Sequence, residues 1–306
     1  MDNLEDRSVH GETGASVPGS NKPADGGFTN NVRQSVAMDV QAQLGKPTVE
    51  NTIAMIMANV PAEIMGADNK LLARKQKELK KLPIVVGDVV SEMWIEYIRD
   101  WEKSKFMMVP TDKIVGSVAP GHNDWTYEHR PNKIIEIAKS LRKTDKELIE
   151  NTFNFFDRFS SDRVLLKSVN GPAGPLFFIV SGVHRVTACK LIKLPYVPAQ
   201  VEEHKLRPDL QIFSPEKSMA DEWQRKIDRG LIKGNIEAGR SRIDERVYYG
   251  LTIEKQVLPW MHLSIPGLVA VNRVYNELYP QSLDILNIPE AALFDEEAFD
   301  RFLKQG

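Results

Sequence analysis

The stretch that decides the fold runs from Phe177 to Ile192 and reads FFIVSGVHRVTACKLI. Its first residues form a continuous apolar run that ends at Ser181-Gly182, and such a run is typical of a buried β-strand. A segment with the period of a helix follows without an intervening loop, since its apolar residues lie three positions apart. The pattern therefore predicts a strand that turns directly into a helix at Gly182.

This turn is a candidate phosphate-binding site. Glycine at a strand-to-helix junction lets the backbone approach a ligand, because it has no Cβ. The first amides of the helix have no partner within the helix and lie at the positive end of its dipole. His184 and Arg185 stand there, and the planar fork of arginine suits phosphate oxygens. We expect Arg185 to be exposed, so that its replacement changes stability little. The alternative, a surface His-Arg pair that binds nothing, stays open on these residues alone.

A family resemblance adds to this interpretation. Ser181-Gly182-Val183-His184-Arg185, the short helix after it and the strand opening at Val197-Pro198 resemble the nucleotide-binding motif of the ParB/sulfiredoxin superfamily. Three upstream segments resemble the family's first strand, the helix after it and its second strand: Val109–Ile114, Arg130–Leu141 and Val164–Val169. The resemblance covers about residues 105–205. It implies a small mixed-sheet domain of the α/β or α+β class that binds ATP or CTP with Mg²⁺.

The resemblance also implies a set of binding residues. In sulfiredoxins the helix after the first strand supplies a lysine and small hydroxyl residues to the nucleotide phosphates. Lys133 and Ser140 match two of those positions, and Glu136 replaces a third. A salt-bridging surface lysine is the alternative for Lys133. The implied set is Arg130, Lys133, Ser140, Ser181, Gly182, His184 and Arg185.

Two departures from the family's motifs narrow the reactions that we expect of this protein. Val183 stands where the resemblance would place the catalytic cysteine of a sulfiredoxin, so thiol repair is not expected. Residues 202–207 do not reproduce the second phosphate motif of ParB-type CTP switches. If the protein is an enzyme, the resemblance implies phosphoryl transfer or phosphodiester hydrolysis, as in an NTPase, a nuclease or a kinase. The candidate catalytic side chains are Asp124, Glu136 and His184.

Composition limits the partners. The 306-residue chain has a net charge of −2, so any contact with DNA has to be local. Residues 75–81 and 240–246 are the candidate basic patches. The single cysteine allows no intrachain disulfide and fits a reducing, cytoplasmic compartment. No apolar run reaches membrane-spanning length, so we expect no membrane partner. His122, Asp124 and His129 match no recognised ligand spacing, and no metal site is predicted.

The chain divides into four predicted segments. Residues 1–30 are polar and predict a disordered tail. Residues 31–104 predict a helical extension, residues 105–205 the ParB/sulfiredoxin-like domain, and residues 206–306 a mainly helical region. The predicted helices of the two flanks are 32–44, 49–65, 68–81, 85–101, 218–232, 253–261, 267–278 and 290–303. We therefore keep a second function class open, a catalytically silent module whose helical flanks mediate self-association or a protein assembly.

Overall fold

A computed structural model of the chain describes residues 47–85, 104–118, 122, 124–126, 130–155, 162–204, 212–214, 216–240, 247–253 and 266–304. The predicted tail 1–30, the predicted helix 32–44, all but the first residue of the predicted helix 85–101, and Arg242 lie outside these residues. In the described part, no helix is both long and apolar enough to cross a membrane.

A five-stranded mixed sheet lies at the centre, with strand order β1-β5-β3-β4-β2. The strands are β1 Lys105–Pro110, β2 Ile114–Ser117, β3 Leu165–Gly171, β4 Gly174–Ser181 and β5 Tyr196–His204. The pairs β3-β4 and β1-β5 are antiparallel, whereas β2-β4 and β3-β5 are parallel. The predicted mixed α/β character is confirmed, and β3 and β4 form a hairpin that closes with Gly171 opposite Gly174.

Strand β4 is apolar throughout because both of its faces are buried. Successive side chains of a strand point to opposite faces. Phe177 and Ile179 belong to one hydrophobic cluster, and Leu176 and Phe178 belong to another on the other side of the sheet. A strand covered on both sides reads as an unbroken apolar run rather than as an alternating one.

Helices from the first two thirds of the chain cover the face to which Phe177 points. They are α1 Val49–Asn59, α2 Ala62–Met65, α3 Asn69–Glu78, α4 Pro131–Arg142, α5 Lys146–Phe153 and α6 Val183–Leu191. Asp68 begins α3 and Asp145 begins α5, each by accepting a hydrogen bond from a first-turn amide. The predicted helix 49–65 is wrong in one respect, because the chain between α1 and α2 leaves the helical conformation at Val60 and Pro61.

The C-terminal region covers the other face of the sheet and contains strands that the sequence pattern did not reveal. Its elements are β6 Ile212–Ser214, α7 Lys217–Asp228, β7 Gly234–Arg240, β8 Val247–Ile253, α8 Pro266–Leu278, α9 Ser282–Leu286 and α10 Glu296–Lys304. The three strands form a second, antiparallel sheet in the order β6-β8-β7. Strand β7 reads GNIEAGR, whose two glycines and few apolar residues conceal it.

Two helix predictions in this region need correction. Ile253, the predicted start of the helix 253–261, is the last residue of β8, and the rest of that helix lies outside the described residues. The predicted helix 290–303 is divided into a 3₁₀ turn, Glu290–Leu293, and α10. Between them, Asp295 accepts a hydrogen bond from the amide of Glu297 at 3.0 Å and so starts a separate helix.

Helix α8 is attached to the central sheet through the β3-β4 hairpin. The amide of Ala173 donates to the hydroxyl of Tyr275 at 2.8 Å, and the hydroxyl of Tyr279 donates to the carbonyl of Pro175 at 2.7 Å. The tyrosine side chains fit because Gly171 and Gly174 have no Cβ. A Cβ at position 171 would lie 2.4 Å from the hydroxyl oxygen of Tyr275, and one at position 174 would lie 2.6 Å from a ring carbon of Tyr279. Leu44–Gly306 form one compact unit, and the predicted boundary near residue 206 falls inside it.

Candidate functional site

The turn from β4 into α6 has the geometry that its sequence predicts. Gly182 is the N-terminal cap of α6 and has a φ of 93°, in the left-handed region that side chains disfavour. A Cβ at this position would lie 3.1 Å from Cγ2 of Val164 and 3.2 Å from Nε of Arg185. Position 182 therefore excludes larger residues through both its backbone conformation and its neighbours.

A cavity of about 420 Å³ opens in front of this turn, and we call it the α6 cavity. Its lining residues are Lys133, Ile137, Ser140, Leu148, Asn151, Thr152, Asp162, Gly182, Val183, His184 and Arg185. Lys133 and Ser140 are seven residues apart on α4, which places them two turns apart on one helix face. Five of the predicted binding residues therefore come together here: Lys133, Ser140, Gly182, His184 and Arg185.

The other predicted site residues lie outside this lining. Arg130 is exposed just before α4 and lies close enough to His184 to influence its charge. Ser181 is the last residue of β4 and pairs with Leu165. Glu136 is exposed on α4.

Asp124 also lies outside the lining of the α6 cavity. Its Oδ1 accepts a hydrogen bond from the amide of Thr126 at 2.7 Å, and its Oδ2 lies 3.9 Å from Nζ of Lys80. These contacts stabilise the turn before α4 and join it to the short 3₁₀ turn that directly follows α3.

Arg185 is largely committed to the backbone, which corrects the expectation of an exposed side chain. Nη1 donates to the carbonyls of Thr152 and Asp162, and Nη2 donates to the carbonyl of Arg163 at 3.2 Å. The guanidinium thus ties the connection between α5 and β3 to the start of α6. Within the described residues its Nε donates no hydrogen bond, and it lies against Gly182. One N–H of the fork therefore faces the turn.

The histidine at the turn stands in a positive environment. Burial lowers the pKa of His184, and the charges of Lys133, Arg130 and Arg185 lower it further. The lowered pKa leaves His184 mostly neutral at neutral pH. His122 lies close by, 1% exposed, and burial lowers its pKa to about 4. The arrangement favours a negatively charged ligand.

Six lining residues were not predicted from the sequence as site residues: Leu148, Asn151, Thr152, Asp162, Ile137 and Val183. The first three lie on α5. Leu148, Asn151 and Thr152 lie three and four residues apart and therefore share one face of α5. This spacing is the sequence pattern from which they could have been predicted. Asp162 precedes β3, and among the described residues it is the acidic side chain that lines the cavity.

No group of three or more His, Cys, Asp or Glu side chains that could hold a metal ion occurs among the described residues. In comparisons with known proteins, no family model, curated protein or solved structure matches this chain.

Proposed function

We propose that the chain binds the phosphate groups of a nucleotide in the α6 cavity, as a ParB/sulfiredoxin-like protein. One observation carries this proposal: Lys133 and Ser140 of α4 line the same cavity as Gly182, His184 and Arg185 at the start of α6. A helix N-terminus, a lysine, a hydroxyl and one N–H of an arginine are the groups that phosphate oxygens prefer. They come from two segments more than 40 residues apart.

Charge at the cavity supports an anionic ligand. Within the described residues, Lys133 makes no ion pair, and the positive charges around His184 are close enough to lower its pKa. Converging cations repel one another, and this repulsion is unfavourable for the empty protein. A phosphate would relieve this repulsion. The apolar side chains of Ile137, Leu148 and Val183 line the same cavity and offer a surface for the nucleoside.

ATP or CTP with Mg²⁺ fits the residues that are present. The cavity volume of about 420 Å³ lies in the usual range for small-molecule sites. Mg²⁺ prefers oxygen ligands and is commonly held by one or two carboxylates together with the phosphates of the substrate. Asp162 is the carboxylate that lines the cavity in the described part of the chain, and it would be the protein ligand. The ion would neutralise phosphate charge when bound.

Phosphoryl transfer or phosphodiester hydrolysis is the chemistry that suits this set. Such reactions need positioning and positive charge more than a covalent catalyst. Lys133 and the α6 amides would hold the phosphates, and neutral His184 would accept a proton from an attacking hydroxyl or water. This role fits an NTPase, a nuclease or a kinase acting in DNA metabolism.

A catalytically silent module is the second candidate. It is favoured by the contacts of Arg185, whose two terminal nitrogens bind backbone carbonyls instead of facing the cavity. In that case the turn would be conformationally important but would bind no nucleotide, and the helical flanks would mediate self-association or a protein complex.

The deciding experiment compares two lysines on α4. Lys133 lines the cavity, whereas Lys139 is exposed outside it. We expect Lys133→Gln to weaken ATP or CTP binding about tenfold or more, because it removes a charged phosphate partner. Lys139→Gln should bind as the unmodified protein does. The measurement is isothermal titration with ATP, CTP, GTP and UTP, each with and without Mg²⁺.

Two results would contradict the proposal. Equal affinities of the Lys133 and Lys139 variants would show that the nucleotide phosphates do not bind in the α6 cavity. Heat signals absent for all four nucleotides would favour the silent module, provided that circular dichroism shows the same folded state.

A further inference from the structure

A second basic surface lies on α3, on residues that the α6 cavity does not share. Lys70, Arg74 and Lys77 are exposed and line a surface concavity of about 720 Å³. They are four and three residues apart, which places all three on one face of the helix. We call these three residues the α3 basic face.

The basic face is unfavourable for the helix that carries it. Like charges four or three residues apart destabilise a helix by a few tenths of a kcal/mol. Lys70 lies in the first turn, where the positive end of the helix dipole disfavours a cation. The helix is anchored by its opposite side, where Leu72 is buried and Gln76 donates to the carbonyls of Thr126 and Pro131.

Two neighbouring cations have acidic partners, whereas the residues of the α3 basic face have none among the described residues. Lys75 lies 3.3 Å from a carboxylate oxygen of Glu78, and Lys80 lies 3.9 Å from one of Asp124. Within the described part of the chain, no carboxylate lies within ion-pair distance of the α3 basic face. In the predicted basic patch 75–81, Lys75 and Lys80 are therefore compensated, and the α3 basic face combines Lys77 of that patch with two cations nearer the start of the helix.

One acid borders the concavity. Asp68 is the N-terminal cap of α3, and its Oδ1 accepts the amide of Leu71 at 2.7 Å. Its negative charge is therefore directed to the end of the helix, where it stabilises the unpaired amides. The remaining lining is apolar or backbone, so that positive charge dominates this surface.

We propose that the α3 basic face binds the sugar-phosphate backbone of double-stranded DNA, independently of base sequence. At a rise of about 1.5 Å per residue, the three cations extend over roughly 10 Å along the helix. Duplex DNA carries about one negative charge per 1.7 Å of its axis, so a rigid row of cations meets several phosphates at once. DNA binding by this surface does not require the proposed nucleotide site. An experiment can therefore contradict one of the two binding functions and leave the other unaffected.

The test uses the full-length protein and a fluorescein-labelled 20-base-pair duplex in fluorescence anisotropy. The test variant carries Lys70→Gln, Arg74→Gln and Lys77→Gln. The control variant carries Lys217→Gln, Arg225→Gln and Lys304→Gln, which are exposed residues of the C-terminal region and remove the same charge. Three phosphate contacts predict a log-log salt slope of about −2.7, or about 40-fold weaker binding between 50 and 200 mM salt.

We expect the test variant to lose at least tenfold in affinity at 50 mM salt and the control to stay within twofold of the unmodified protein. A second duplex of unrelated sequence should bind equally well. Equal affinity of the two variants, or no binding by the unmodified protein, would overturn the proposal. Displacement of the duplex by polyglutamate at equal charge concentration would also overturn it, since the face would then bind any polyanion. Unchanged thermal unfolding of the test variant ensures that lost binding reflects lost charge.

Discussion

At the scale of single residues, three arginines use their guanidinium groups to bind backbone carbonyls. Arg142 donates to the carbonyls of Ile64, Met65 and Ala67 at the end of α2. Arg163 is 5% exposed and donates to the carbonyls after α5, while its guanidinium lies 4.3 Å above the ring of Phe106. Arg185 follows the same pattern. The guanidinium presents its N–H donors in a rigid planar fork, which can bind two or three carbonyls at once in a fixed geometry.

His122 predicts a pH-dependent stability. Burial lowers its pKa to about 4, although the charge of Asp124 opposes this shift and that of His184 adds to it. Its pKa in the unfolded chain is near 6.5, so between these values the unfolded chain binds a proton that the folded protein does not. Its contribution to stability is therefore intact above about pH 6.5 and falls as the pH drops toward 4. The loss is up to about 3 kcal/mol.

The measurement is the free energy of unfolding in urea at several pH values between 7.5 and 4.5. His122→Gln replaces the histidine with a side chain that does not titrate. We expect the variant to lose less stability over this range than the unmodified protein does, whatever its stability at pH 7.5. Parallel curves for the two proteins would show that His122 is not the titrating group.

At the scale of elements, the strand-to-helix turn depends on one glycine. Gly182 and Gly230 both have positive φ, at 93° and 67°, but only at Gly182 would a Cβ meet other atoms within 4 Å. Gly230→Ala therefore measures the cost of the backbone conformation alone, about 1 kcal/mol. Gly182→Ala adds contacts with Val164 and Arg185, and we expect it to destabilise by roughly 2–3 kcal/mol.

Urea unfolding of the two variants checks this difference. Gly182→Ala should also weaken nucleotide binding, because the displaced Arg185 and α6 amides line the cavity. Equal destabilisation by the two substitutions would mean that the chain around Val164 relaxes freely. In that case the turn would not be as rigid as its contacts indicate.

At the scale of the whole molecule, the central sheet joins two hydrophobic clusters. Helices α1 to α6 pack on one face, and the C-terminal elements pack on the other. Tyr275 and Tyr279 pack against the β3-β4 hairpin, and Lys113 lies 3.8 Å above the ring of Tyr279. The β3-β4 hairpin, whose second strand leads into Gly182, is therefore held by a helix about 100 residues later in the chain.

We expect Tyr275→Phe to destabilise the protein by about 1–3 kcal/mol, because the amide of Ala173 loses its acceptor in a half-buried position. Tyr249→Phe is the control, since its hydroxyl makes no hydrogen bond within the described residues. Two probes follow unfolding in urea: circular dichroism, and labelling of the buried thiol of Cys189, which lies in the other cluster.

The two probes should move together to lower urea in the Tyr275 variant, because both clusters share the strands of one sheet. If Cys189 labelling keeps its midpoint while circular dichroism shifts, the C-terminal region unfolds separately. The chain would then behave as the two bodies that the sequence analysis separated near residue 206.

The sequence by itself determined the local elements around the site. The apolar run before Gly182, the helix after it and the hairpin at Gly171 and Gly174 are all encoded within a few residues, because turn chemistry and hydrophobic period act locally. The positions of Lys133 and Ser140 on one helix face follow from the same period. Gly182, His184 and Arg185 follow as candidate site residues from the turn itself, whereas the family resemblance, and not the helical period, indicated Lys133 and Ser140.

Only the tertiary structure decided what stands opposite those residues. Helix α5 and Asp162 line the cavity from a segment with no motif, and the three-stranded C-terminal sheet includes β7, a strand that is poor in apolar residues. Whether a cation is paired also depends on its neighbours in space: Lys75 has Glu78, whereas Arg74 beside it in the sequence has no carboxylate within ion-pair distance among the described residues. Such pairings depend on long-range packing, which no local period records.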